Sequence, residues 1–138
     1  MNIILWILQV LLAALFAWHG MLFLSPPPEL VEIMEKEFSL WFRIFLGVAE
    51  VLAAIGLTVP GILRIQPRMI PVTALCLMTL MVFATVHHVM RGENSSAATT
   101  ALILAVLGFV GYMRWKIKPV TDRKPETGVR RQEVEGRG

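Results

Sequence analysis

The sequence predicts an all-α integral membrane protein, a four-helix bundle with a short interfacial helix between the first and second spans. Three observations carry this. Hydrophobic residues make up 56% of the 138 residues and mean hydropathy is +0.66, more apolar surface than one soluble domain of this size can hide. Only 17% of residues are charged, and they cluster between and after apolar runs. Four such runs stand out, each roughly 19–23 residues long, and a hydrocarbon core of ~30 Å needs about 20 helical residues. The runs lack the alternating polarity of barrel strands, and backbone groups in lipid must be satisfied internally, so helix is the structure they take.

The first span covers about residues 2–24. No Lys or Arg precedes it, it is longer than a usual signal-peptide core, and it lacks a small-x-small cleavage site, so it reads as a retained helix. Pro26, Pro27 and Pro28 stop it, and proline is tolerated in the first turn of the next helix. Val31, Met34 and Phe38 then share one face of an otherwise acidic segment, the pattern of an amphipathic helix on the membrane surface. The second span covers about 40–59, and Pro60-Gly61 reads as a turn. The third covers about 69–90 and the fourth about 97–115. Residues 1–118 thus form a transmembrane domain, and 119–138 a disordered, basic cytoplasmic tail.

Lys and Arg set the orientation. Four spans place both termini and the second connection on one side. That side holds Arg64, Arg68, Arg114, Lys116 and Lys118, then Arg123, Lys124, Arg130, Arg131 and Arg137. The opposite side holds Lys36 and Arg91. The expected location is the cell membrane with both termini cytoplasmic. Trp6, Trp41 and Trp115 fall near segment ends, where interfacial aromatics belong. The net charge of +3 does not indicate nucleic acid, because the basic residues flank spans instead of forming a folded basic face. The single cysteine, Cys76, leaves no intramolecular disulfide, CxxC pair or cysteine zinc site.

Ionisable side chains within a membrane cost ~2.5–3.5 kcal/mol each at mid-depth, so each needs a reason. Here they are His19, Arg43, Glu50, His87 and His88, and Glu50 lies deepest. At the helical rise, His19, Arg43 and His87 sit at one level, roughly 9 Å outward of the centre. Arg43 and Glu50 are nearly two turns apart and share a face. His87 and His88 point ~100° apart, so one pocket takes one of them. Together Arg43, Glu50, His19 and His87 outline a polar pocket in the outer half of the bundle. It suits a quinone head group, whose carbonyl oxygens accept from Arg and His while Glu and His pass protons. The competing reading is structural: Arg43 snorkels, the histidines sit in the interface, and Glu50 is paired between helices. Haem ligation by His19 and His87 is a weaker alternative without a CxxCH motif.

Small residues add a packing signal. Ala97, Ala101, Ala105 and Gly108 share one face, as do Ala49, Ala53 and Gly56. Such faces allow close helix approach and can also serve a homo-oligomer. The eight methionines read as adaptable core filler.

Trp41-Phe42-Arg43, then the run from Gly47-Val48-Ala49-Glu50 to Gly56-Leu57, then Pro60, resembles the central signature of the DoxX-like family. The break before Pro28-Glu29-Leu30-Val31 and the late histidine in Val86-His87 are similar too. The resemblance covers about residues 5–116. It implies a four-helix membrane fold and a redox setting, since the family takes its name from a membrane subunit associated with a thiosulfate:quinone oxidoreductase. Many relatives carry a lysine shortly after the glycine near the end of the first helix. Here Gly20 is followed by Met21, Leu22 and Phe23, and His19 stands as the substitute.

The expectation is therefore a quinone-linked membrane subunit without metal or intrinsic cofactor, taking electrons from a partner redox protein, as no nucleotide or iron–sulfur motif is present. The alternative is a non-catalytic scaffold or assembly partner for a redox enzyme. A transporter fits less well, because no span is broken by an internal proline–glycine pair.

Overall fold

A computed structural model describes residues 2–66 and 68–121. Its helices are α1 (Asn2–Leu24), α2 (Pro28–Glu37), α3 (Leu40–Leu63), α4 (Met69–Met90) and α5 (Asn94–Tyr112), the last continuing into a π-helical turn, Met113–Ile117. No strand occurs among the described residues. Four helices are long and apolar enough to cross a membrane, and α2 is the short helix between the first two. Residues 122–138, most of the expected tail, lie outside the described residues.

α1 packs along α3, α5 along α4, and α3 against α4, with α1 and α5 closing the ring. The buried positions of α3 are Arg43, Gly47, Glu50, Ala54, Leu57 and Gly61. Steps of three and four residues keep one narrow stripe inward, the seam of a left-handed bundle. α1 answers with Leu5, Gln9, Leu12, Phe16, Gly20 and Phe23. The core gathers Leu12 and Phe16, Ala54 and Leu57, Leu77 and Met81, and Leu107 and Val110. The outer faces are as apolar as the core: Ile7, Leu11, Phe45, Leu52, Leu75, Phe83 and Leu102 all stand exposed. In water that surface would aggregate; in a bilayer it is solvated by lipid tails.

Helix ends depart from the expected boundaries for identifiable reasons. α2 begins at Pro28 behind an extended Pro27, and a Glu32–Lys36 ion pair of 2.8 Å spans one turn of its exposed face. Ser39 caps α3 by accepting from the Phe42 amide at 3.4 Å. α3 runs through Pro60 to Leu63. Gly61 is helical, and it is small because a Cβ there would lie 2.7 Å from the Trp6 ring. The reversal falls instead at Arg64 and Gln66, with φ of 53° and 47°. Gly92, at φ 74°, makes the turn between α4 and α5. α5 starts at Asn94, before its apolar run, and the Ala97 amide bonds back to Glu93 at 2.9 Å. On α5, Ala97 faces the core while Ala101 and Ala105 face outward, so the small-residue stripe is only partly used within the bundle.

Candidate functional site

The site begins with the closest approach of two backbones. A Cβ added at Gly20 would lie 2.8 Å from the Gly47 carbonyl oxygen and 3.2 Å from the Glu50 Cβ. Only glycine at both crossings lets α1 and α3 touch here. That contact brings His19, one residue before Gly20, to Glu50. The His19 Nδ1 hydrogen-bonds Glu50 Oε2 at 2.7 Å. Glu50 is 4% exposed, whereas the His19 side chain is 46% exposed. One end of the pair is thus sealed in the bundle and the other reaches its surface.

Arg43 lies two turns before Glu50 on the same stripe and is 9% exposed. Its Nε and Nη1 are buried with no acceptor among the described residues. A buried guanidinium with open donors is costly, and the cost is relieved by an acceptor. Above it Phe38, at the end of α2, gathers rings from three spans. Its centroid lies 6.0 Å from Phe23, 5.8 Å from Phe42 and 5.7 Å from His87. Phe23 in turn meets His19 edge-on at 5.0 Å.

His19 also lines an open groove of about 390 Å³ between α1, α4 and α5, with Met81, His88, Ser96 and Thr100 among its walls. Of the adjacent histidines, His88 faces this groove, and the exposed His87 lies against Phe38. The structure therefore joins His19 to Glu50, keeps Arg43 on their stripe, and holds His87 in the aromatic cover.

The cover is tied down by charge. His88 Nδ1 bonds Glu93 at 2.6 Å, Arg91 Nε bonds Glu93 at 2.9 Å, and Arg91 also pairs with Glu37 at the end of α2. The hydrogen bond from His88 is the largest cause holding the Glu93 carboxyl below the usual carboxylate range; desolvation opposes it, and Arg91 adds to it. No cluster of three His, Cys, Asp or Glu side chains suited to a metal ion occurs among the described residues.

The sequence profile of the DoxX-like family matches residues 7–110. The chain belongs to the DoxX-like family. Comparison with curated proteins and with solved structures finds no match. The matched region of this DoxX-like protein contains His19, Arg43, Glu50, His87 and His88. It leaves out Asn2, Trp6 and Arg114.

Those three residues form a second polar centre at the opposite end of the bundle, where the sequence counted Arg114 among the cations of the expected cytoplasmic side. Its side chain is drawn into the bundle there: Arg114 is 4% exposed. Within the wider π-helical turn both Met113 and Arg114 are buried, a shift in register that local sequence does not announce. Arg114 donates from Nε to the Gln9 side-chain oxygen and from Nη1 to the Asn2 side-chain oxygen at 2.8 Å. Gln9 is 0% exposed and donates to the Leu57 carbonyl at 2.7 Å. A signal for Gln9 did exist, since it is the one amide on the α1 stripe of Leu5, Leu12 and Phe16.

Proposed function

We propose that this DoxX-like protein is a quinone-linked, redox-associated membrane subunit whose head-group site is the Arg43–Glu50–His19 stripe. The observation that carries it is a hydrogen-bonded His19–Glu50 pair two turns from a buried guanidinium with two open donors. Arg43 donates to a quinone carbonyl oxygen, favouring charge that builds there on reduction. Glu50 and His19 carry protons between that oxygen and the groove. Reducing a quinone to the quinol takes two electrons and two protons; the electrons come from a partner redox protein, and the protons pass along the pair. His87 and Phe38 form an aromatic wall for the ring. The location that goes with this reading is the cell membrane, with both termini in the cytoplasm and the pocket in the outer half.

Mild-detergent purification followed by quinone extraction tests the reading. The native protein retains or binds quinone, and Glu50→Gln and Arg43→Ala each weaken binding by about tenfold, the loss of one or two charge-assisted hydrogen bonds. Unchanged affinity in both variants sinks it.

The Gly20–Gly47 crossing beside the pair favours a second reading, in which His19–Glu50 only fixes the register of α1 on α3 and the protein is a scaffold for a redox enzyme. A soluble redox enzyme then co-purifies and is lost when residues 119–138 are deleted, while quinone is not retained.

A further inference from the structure

The inner polar centre holds a buried cation whose partners among the described residues are all neutral. Arg114 bonds the amide oxygens of Gln9 and Asn2 and the Lys118 carbonyl. Its guanidinium carbon lies 5.2 Å from the centroid of the Trp6 ring. No carboxylate pairs with it among the described residues. Its Nη2 is buried without an acceptor. An enclosed guanidinium lacking a counter-charge is among the most costly arrangements a bundle can hold, and an anion relieves it.

A cavity lies beside this cation. It measures about 370 Å³, and Asn2, Trp6, Arg64, Arg114 and Thr121 are among its lining residues. Arg64 brings a second positive charge to the wall. It is exposed and held in the left-handed conformation that ends α3. Thus one cation is fixed and buried, the other is exposed on the same cavity, and no acid lines it among the described residues. Two arginines on one cavity wall supply the positive charge and N–H donors that suit a phosphate oxyanion, which accepts several such donors at once.

We propose that this cavity is a phosphate site, with Arg114 as its fixed donor and Arg64 as its entry donor. Its ligand is a phosphate group, carried either by an anionic lipid head group or by a free phosphate. A basic pocket at the membrane-facing end of helices suits the first source, and the cavity's polar lining accommodates the second.

The test uses the full-length protein purified in phosphate-free neutral detergent. One arm titrates inorganic phosphate against the unfolding midpoint and Trp fluorescence, with sodium chloride at matched ionic strength as control. The other compares nanodiscs of phosphatidylcholine with nanodiscs containing phosphatidylglycerol. The midpoint rises with phosphate or with phosphatidylglycerol, and whichever arm responds identifies the source. Arg64→Gln, on the exposed rim, weakens the response at least tenfold, and Arg114→Lys weakens it while keeping the charge. If Arg114→Lys does not fold, Arg64→Gln decides alone. The proposal is overturned if the native protein responds in neither arm, if sodium chloride reproduces the shift, or if the folded variants respond like the native protein.

Discussion

Gly20 and Gly108 make opposite predictions from similar surroundings. Both are helical glycines in apolar spans, yet a Cβ at Gly20 meets the Gly47 carbonyl at 2.8 Å, backbone that cannot yield. At Gly108 the nearest atom is the Met78 methyl at 3.5 Å, an ordinary contact with a flexible side chain. Gly20→Ala should therefore cost about 1–3 kcal/mol by forcing α1 away from α3. Gly108→Ala should stay within about 0.5 kcal/mol of the native protein. Thermal unfolding in one detergent compares them directly, and equal midpoints contradict the argument. The same displacement separates His19 from Glu50, so Gly20→Ala should also reduce any quinone retention. Glu50 itself was legible without coordinates, because a carboxylate near the middle of a span demands a partner. Its partner was not, because three histidines competed and only the glycine crossing selects His19. Arg114 was counted only as an orienting charge because it stands at the very end of an apolar run; the π-helical turn that draws it inward leaves no local pattern.

Among the elements, α2 depends most on titratable contacts. None of its residues is buried. What ties it to the spans is the stacking of Phe38 and the Arg91–Glu37 pair, and Arg91 is itself held by Glu93, which also bonds His88. Glu93 has its carboxyl held below the usual range, so the native state favours the carboxylate. The stability it adds is fully present above the ordinary carboxylate range and is lost as pH falls through its lowered value. Amide exchange in α2 should therefore accelerate as pH is lowered below the ordinary carboxylate range, after correction for the intrinsic pH dependence of exchange. Glu93→Gln should produce part of that acceleration already at neutral pH. If the corrected exchange of α2 does not change with pH or in the variant, this cluster does not restrain the helix. The element itself was readable from its proline start and its i, i+3, i+7 apolar spacing. The end of α3 was not, because Pro60-Gly61 has two readings. The glycine answers to the Trp6 ring, a contact from a helix more than fifty residues away in sequence.

For the whole molecule, topology is the property on which the functional reading depends. Four spans put the His19–Glu50 end and the Gln9–Arg114 end on opposite faces of the membrane. With Arg114 inside the bundle, it no longer counts as a loop charge. The bias still holds, since Arg64, Arg68, Lys116 and Lys118 lie at one end against Lys36 and Arg91 at the other. In the proposed orientation the acidic α2 faces out and the groove beside His19 opens away from the cytoplasm. Single-cysteine labelling tests this directly. The native Cys76 is exposed on α4, within a span, and is replaced in a Cys76→Ser background. Glu29→Cys on α2 and Ile65→Cys in the α3–α4 connection are then compared, both exposed positions that make no hydrogen bond through their side chains. A membrane-impermeant maleimide added to intact cells should modify the cysteine at 29 and leave that at 65 until the membrane is permeabilised. The reverse pattern would place the groove on the cytoplasmic face. The proposed proton path from Glu50 through His19 would then open inward, and a quinone reaction at that end would take its protons from the cytoplasm.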